Sequence, residues 1–259
     1  MVDIHCHLLP GLDDGPDSFE ESLKMAEMAV ADGITHVIAT PHANEMYAFI
    51  PEMIQKRRNE IQNAIGPRLQ LATGCDFHLS FENIEDVRTH PKKYTLNQKS
   101  YLLVEFADFA IPPTIDHTLH DLHLRGLRPI ITHPERNGLI RAKPARLESW
   151  IRQGCYVQVT ALSLLGRFGE SAKAFSEWLL DRDAIHFFAS DAHNLKGRPL
   201  LLRQAFEEVA QRRGAAVAHG LFLANPMAAF EGQPLPYLPE MPDLSDAPRA
   251  PRKKRFLFF

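Results

Sequence analysis

The 259-residue chain is poor in the features that mark several large classes of protein. No apolar run approaches the roughly 20 residues that span a bilayer, so membrane helices are not expected. There are three cysteines, Cys6, Cys75 and Cys155, odd in number and without a CxxC. That excludes a disulfide scaffold and fits a reducing, cytoplasmic setting. The start, MVDIHCHLLPGLDD, lacks the basic and apolar stretches of a secretory signal. Neither sign of charge dominates: 29 Lys and Arg stand against 32 Asp and Glu. A net charge of −3 offers no basic footprint, and no nucleic-acid partner is expected. GxG is absent, which removes the dinucleotide fingerprint, and so are GxxxxGK and GxSxG. With 45% hydrophobic and 24% charged residues, the chain does hold material for a core. What it has in quantity is histidine, 13 in all.

Through residue 230, short β-rich runs alternate with amphipathic segments. The runs are Val2–Cys6, Thr35–Ala39, Leu69–Thr73, Tyr101–Glu105, Pro129–Thr132, Tyr156–Thr160 and Ile185–Ala189. Their continuous apolar character suits strands buried on both faces of a parallel sheet. Ser18 with Glu21 forms a capping box for a helix that stops at Gly33. Pro51 opens a second helix near its first position. Phe81–His90, Pro144–Gln153, Glu170–Leu180 and Leu200–Arg213 are further helices on this reading. Seven strands, each followed by a helical segment, predict a distorted (β/α)7, TIM-like barrel over residues 1–230. An open doubly wound sheet is the alternative. Residues 231–259 hold six of the 19 prolines and are expected to form a flexible tail.

The polar residues fall at the C-terminal ends of those strands. They are His5 and His7, then His42, Asp76, Glu105, His133 with Arg136, and Asp191 with His193. In a βα barrel those ends converge on one face. His5 and His7 are two apart on a strand and share a side, and Cys6 points away. With Asp14, the set comprises five histidines and four carboxylates, enough for two or three ions. Imidazole and carboxylate together suit Mn, Fe, Zn or Co. Arg136 and Arg198 lie in strand-end loops, and guanidinium beside metal suits an anionic substrate, phosphate above all. His117, His120 and His123 lie off the apolar stripe of Ile115, Leu119 and Leu122, so they are read as a solvated face.

The motifs DIHCHLLPGLDDG, ATPH, LLVEF, ITHPERN and ASDAHNLKGRP resemble the polymerase-and-histidinol-phosphatase (PHP) superfamily. Within it, the chain is similar to bacterial manganese-dependent protein-tyrosine phosphatases encoded with capsule and exopolysaccharide genes. The resemblance runs in order from Met1 to about Phe230. It implies a trinuclear Mn²⁺ centre. His5, His7, Glu105 and Asp191 would hold one ion, and Asp76, Glu105 and His133 a second, with Glu105 bridging. Asp14, His42 and His193 would hold a third. Position 76 is Asp where relatives carry Glu, shorter by about 1.3–1.5 Å, so a looser second site is expected. Arg136 and Arg198 match the phosphate-binding arginines, and His42 or a metal-bound water would supply any proton needed. A hydroxide bridging two ions is the expected nucleophile. A cysteine route is excluded, because six residues beyond Cys6, Cys75 and Cys155 stand Leu12, Phe81 and Ala161 rather than arginine.

The partner the resemblance implies is a phosphotyrosyl protein, namely the C-terminal tail of an autophosphorylated, membrane-bound tyrosine kinase. Two other readings stay open: a small-molecule phosphatase of the histidinol-phosphate type, and a non-catalytic metal-binding regulatory partner. The tail ends with Arg249, Arg252, Lys253, Lys254 and Arg255 before Phe256-Leu-Phe-Phe. Basic residues before aromatics suit peripheral contact with an anionic membrane at its inner face. A solvated end or a subunit-contact arm in a homo-oligomer is the alternative for this segment.

Overall fold

The apolar runs assemble as the staves of one closed, all-parallel barrel. They are β1 (Val2–Cys6), β2 (His36–Ala39), β3 (His42–Ala43), β4 (Gln70–Thr73), β5 (Asp76–His78), β6 (Tyr101–Glu105), β7 (Arg128–Thr132), β8 (Tyr156–Thr160) and β9 (Phe187–Ala189). The computed structural model describes residues 1–239 and 241–245. Pairing runs β1-β2-β4 in one sheet and β3-β5-β6-β7-β8-β9 in the other. β2 and β3 are two halves of one stave, and so are β4 and β5. The first break falls at Pro41, which has no N–H for a ladder. The second falls at Gly74-Cys75, where a side chain on Gly74 would put its Cβ 2.7 Å from Leu96 Cδ2. The ring closes between β9 and β1: Asp191 N donates to His5 O, and His7 N to Ala192 O, each at 2.8 Å. Among the described residues nine short strands thus make seven staves, and the distorted (β/α)7 barrel is observed.

The helices follow from local signals. Ser18 Oγ accepts from Glu21 N at 3.2 Å, and Phe19–Asp32 ends on Gly33 at φ 87°. Pro51 opens Pro51–Ile65. Phe81–Thr89, Pro144–Arg152, Glu170–Asp181 and Arg203–Arg213 lie where helices were expected, with small shifts at their ends. Ile115, Leu119 and Leu122 are buried on Ile115–Leu124, and His117, His120 and His123 are exposed. Inside the barrel, Val2, Ile4, Ile38, Leu103, Ile130 and Phe187 belong to one apolar group.

Contacts with the barrel continue past residue 230. Tyr101 Oη donates to Gln233 O at 2.7 Å, and Arg128 Nη1 reaches the same oxygen. Asn225 exchanges hydrogen bonds with both the N and the O of Tyr237. Leu235 and Leu244 are buried, and Leu244 N donates to Glu148. The proline-rich composition suggested a free tail from 231, but scattered apolar anchors secure its first part against the bottom of the barrel. Arg249 to Phe259, which carry the membrane-contact reading, lie outside the described residues.

One buried histidine belongs to the framework. His186 Nδ1 accepts from Val157 N at 3.1 Å, and burial pulls its pKa down to about 3. The folded value lies below the free value near 6.5. Its contribution to stability is therefore full above pH 6.5 and is lost as pH falls towards 3. By pH 5 the loss is about 2 kcal/mol. Urea unfolding at pH 7 and pH 5 checks this against His186→Gln, which keeps an acceptor for Val157 N. The native chain is expected to lose about 2 kcal/mol more than the variant; equal losses would refute it.

Candidate metal centre

All nine expected ligands gather at the C-terminal mouth of the barrel. β1 delivers two of them by breaking strict alternation. Val2 and Ile4 face the interior apolar group, and a register irregularity between Asp3 and Cys6 turns the next residues. His5 and His7 then meet with their Nε2 atoms 3.4 Å apart. Asp191 Oδ1 lies 3.3 Å from His5 Nε2 and 3.5 Å from His7 Nε2. Asp76 Oδ2 lies 3.4 Å from His5 Nε2 and 3.3 Å from His42 Nδ1. The two Glu105 oxygens reach 3.6 Å from His42 Nδ1 and from His133 Nε2. Asp14 Oδ1 sits between His42 Nε2 at 3.4 Å and His193 Nε2 at 3.2 Å.

Four overlapping groups emerge: His7, Asp14, His42 and His193; His5, His7 and Asp76; His5, His133 and Asp191; His42, Asp76 and Glu105. Asp76 thus falls with the β1 histidines and with His42 rather than with His133. The short Asp76 side chain still reaches the centre of the cluster.

The donors fit divalent cations on two counts. Ligands about 2.1 Å from one cation lie about 3.0–3.4 Å apart, close to the separations found. Buried polar atoms are ordinarily hydrogen-bonded. Here His42 Nδ1, His193 Nε2 and both Asp76 oxygens are buried without a hydrogen-bond partner. Backbone strain is also present here. His133 and Asp191 are two of five non-glycine residues with left-handed φ among the described residues, at 30° and 51°. Such conformations cost about 1–3 kcal/mol each and persist where the surroundings over-determine them.

The electrostatics show how unbalanced the bare cluster is. Burial would lower the His5 pKa, but Asp76 and Asp191 outweigh it and push it to about 9. Burial is likewise overcome at His42, where Asp14 and Asp76 raise it to about 11. Burial, with Asp76 adding repulsion, pushes Glu105 up to about 8. His133 is driven well below its ordinary value by burial and by Arg136. The neighbouring His193 and His42 hold Asp14 well below the usual carboxylate range.

The surrounding groups aim the ligands. His5 Nδ1 meets Gln158 Oε1 at 2.9 Å, which leaves Nε2 for the cluster. The sequence reading singles out Asp14 and does not include Asp13. Asp13 Oδ2 meets His7 Nδ1 at 2.6 Å and accepts from His42 N at 3.0 Å, while Oδ1 accepts from Gly15 N. Gly15 is needed here, because a Cβ would lie 2.5 Å from His7 O. The adjacent acids divide the work: Asp13 is buried beneath His7, and Asp14 is 46% exposed over the cluster. The doublet DD was the only sequence signal for Asp13. Carboxylates that orient metal-binding histidines contribute about 10–100-fold to metal affinity. Asp13→Ala is expected to weaken Mn²⁺ binding by that factor, read by competition with a chromogenic chelator; unchanged affinity would refute it.

Arg136 and Arg198 flank the cluster. Arg136 Nη1 and Arg198 Nη2 both donate to Asp191 Oδ2, the latter at 2.6 Å, while Oδ1 faces the histidines. Phe168, which no motif marked, lies under both guanidinium groups, 4.5 Å and 6.0 Å from ring centroid to carbon. Arg136 and Phe168, with Glu105, Asp108, His133 and Arg141, line a cavity of about 280 Å³; Arg198 stands outside this lining. Cys6, Cys75 and Cys155 are buried and take no part.

Fold and cluster define a class: a TIM-like barrel whose strand ends carry a histidine–carboxylate centre fitted to divalent cations. The family model for capsular polysaccharide synthesis, CpsB/CapC, matches residues 1–231, and the chain belongs to this family. It is 35% identical to the tyrosine-protein phosphatase YwqE of Bacillus subtilis over 85% of this chain and 88% of that protein. It is 31% identical to the tyrosine-protein phosphatase CpsB of Streptococcus pneumoniae over 87% of this chain and 96% of the other. A solved structure from work on YwqE and CpsB, described as unique metal-dependent tyrosine phosphatases, superposes with a TM-score of 0.87 at 33% identity. It covers 93% of this chain and 98% of that one. A β-aspartyl dipeptidase from Fervidobacterium islandicum, at 13% identity and a TM-score of 0.53, shares the fold alone.

Proposed function

We propose that this protein is a Mn²⁺-dependent phosphatase acting on phosphotyrosine in proteins. The observation that carries the reading is the nine-residue ligand cluster with its unpartnered buried donors, set directly beside two arginines. The phosphatase names of relatives more than 30% identical support it. We assign His5, His7, Asp14, His42, Asp76, Glu105, His133, Asp191 and His193 to the metal centre. Divalent cations bound there supply Lewis-acid charge and acidify water towards a pKa near 7.

The chain's own residues do the rest. Arg136 and Arg198 offer two guanidinium forks on one side of the cluster, suited to the non-bridging oxygens of a phosphoryl group. Asp191 holds both forks through one oxygen, which orients them before substrate arrives. A tyrosine phenol has a pKa near 10, so its oxygen departs with little help from an acid. His42, 13% exposed, is kept among the cation-binding residues, where its imidazole would be neutral, so the small demand for a proton falls on water at the barrel mouth.

The substrate within this reading is the phosphorylated tail of a membrane-bound tyrosine kinase of capsule or exopolysaccharide synthesis, in keeping with the family. No helix among the described residues is long and apolar enough to cross a membrane. We place the protein in the cytoplasm, with the basic end of the chain as its membrane contact. A substrate panel on Mn²⁺-loaded protein tests the assignment. Phosphotyrosyl peptide is expected to exceed phosphoseryl peptide and amino-alcohol or sugar phosphates by at least about 10²-fold in kcat/KM, near 3 kcal/mol. Faster turnover of an amino-alcohol phosphate would favour the histidinol-phosphate reading. No turnover by fully metallated protein would favour a regulatory role.

A further inference from the structure

A second cleft adjoins the phosphate cavity, bounded by the same two segments though by different residues of them. The loop after β6 and the segment 138–146 bound both. Glu105 and Asp108 line the cavity at the cluster, and Phe109 and Ala110 line the neighbour. Arg141 faces the cavity, and Leu139, Ile140 and Ala142 face the neighbour from the same short helix, Gly138–Ala142. The second cleft has a volume of about 430 Å³.

Hydrogen bonds join its two walls at both ends. At the cluster end, Asn137 Nδ2 donates to Ala107 O at 3.3 Å. At the far end, Arg146 Nη1 donates to Ile111 O at 3.0 Å and Nη2 to Pro112 O at 2.7 Å. These ties occupy three carbonyl oxygens of the loop, and apart from Lys143 and the tied Arg146 the lining side chains are apolar. Pro112 and Pro113 stiffen the same stretch. Phe109 is 88% exposed and Leu139 39%, while Ile140 is buried. Large exposed apolar groups at a preformed groove mark a binding surface.

We propose that this groove receives an apolar side chain flanking the phosphotyrosine of a protein substrate. The inference rests on the phosphotyrosine reading, since continuity with that cavity is what selects the occupant. A polypeptide whose phosphate lies at Arg136 and Arg198 crosses the helix Gly138–Ala142 or the facing loop as it leaves. Its next side chains then meet the groove. The site thus recognises a peptide and not only a phosphate ester.

The test compares two phosphotyrosyl peptides, one with leucines flanking the phosphotyrosine and one with glycines, together with para-nitrophenyl phosphate. Full-length Mn²⁺-loaded protein is expected to favour the leucine peptide by about tenfold in kcat/KM. In Phe109→Ser/Leu139→Ser the preference is expected to fall to near one, with para-nitrophenyl phosphate turnover unchanged. Fluorescence anisotropy of the same labelled peptides reads binding without turnover. Equal affinities for both peptides, or a preference retained in the double variant, would overturn the groove assignment. If para-nitrophenyl phosphate and both peptides are bound but not hydrolysed, the phosphatase reading fails while the groove is still judged by anisotropy. A dimer lost in the double variant, with no peptide preference, would assign the groove to a second copy of the chain and overturn the proposal.

Discussion

Chelation is expected to lower phosphotyrosyl hydrolysis by at least about 10³-fold, equivalent to about 4 kcal/mol, with Mn²⁺ restoring it and iodoacetamide leaving it intact. Without cations, a phosphate at the barrel mouth meets Asp14, Asp76, Glu105 and Asp191 within the same few ångströms. The protonated His5 and His42 and both arginines are then paired with those carboxylates, which leaves little positive charge for the phosphate, and nothing else in the cluster makes a nucleophile of water at neutral pH. Alkylation has little to act on. Cys6, Cys75 and Cys155 are buried, and burial pushes all three thiols up, Cys155 to about 12. The assay is run on protein shown to be metal-free by elemental analysis. Activity persisting there would remove the metal centre from the mechanism, and inactivation by iodoacetamide would return attention to the thiols.

Arg136→Ala is expected to lower kcat/KM by about 10²–10³-fold while Mn²⁺ content stays close to that of the native protein. The structure separates the two roles of Asp191: Oδ1 faces His5 and His7, and Oδ2 receives the arginines. Losing one guanidinium leaves Arg198 on Oδ2, so the carboxylate keeps a partner and its other oxygen keeps its aim. Arg136→Lys is expected to recover only part of the loss, because an ammonium lacks the planar fork that matches a phosphoryl group. Steady-state kinetics with elemental analysis on the same samples decides it. Parallel loss of metal and activity would make Arg136 a support of the metal centre instead of a phosphate ligand.

The strand-end positions of the site residues were legible because a βα repeat leaves the C-terminal end of each strand at one mouth. His5, His42, Glu105, His133 and Asp191 are far apart in sequence, yet each follows an apolar run. Which ligands share a neighbourhood was not legible. The offset between staves depends on the breaks at Pro41 and Gly74 and on the irregularity in β1. Those features move Asp76 towards His5 and His42. Supporting residues were hidden for the same reason. Gln158 meets His5 across 153 positions, and Phe168 sits in a loop whose sequence carries no motif. Asp13 and Asp14 look alike in sequence, and only the turn against β1 makes one a buried anchor and the other a lid over the cluster. The family match ends at residue 231, and beyond it a proline-rich stretch hides single apolar anchors such as Leu235 and Leu244, which carry no periodic signal.

The sequence by itself carried the βα repeat and the inventory of residues at the strand ends, with histidine as the abundant residue. Apolar periodicity and residue type are local, and they survive reading one position at a time. Tertiary structure alone decided the grouping of the histidines and carboxylates, the placement of both arginines over Phe168, and the groove between residues 109–113 and 139–146. Each depends on distances between segments, which are set by how staves of unequal length and broken register close into a ring.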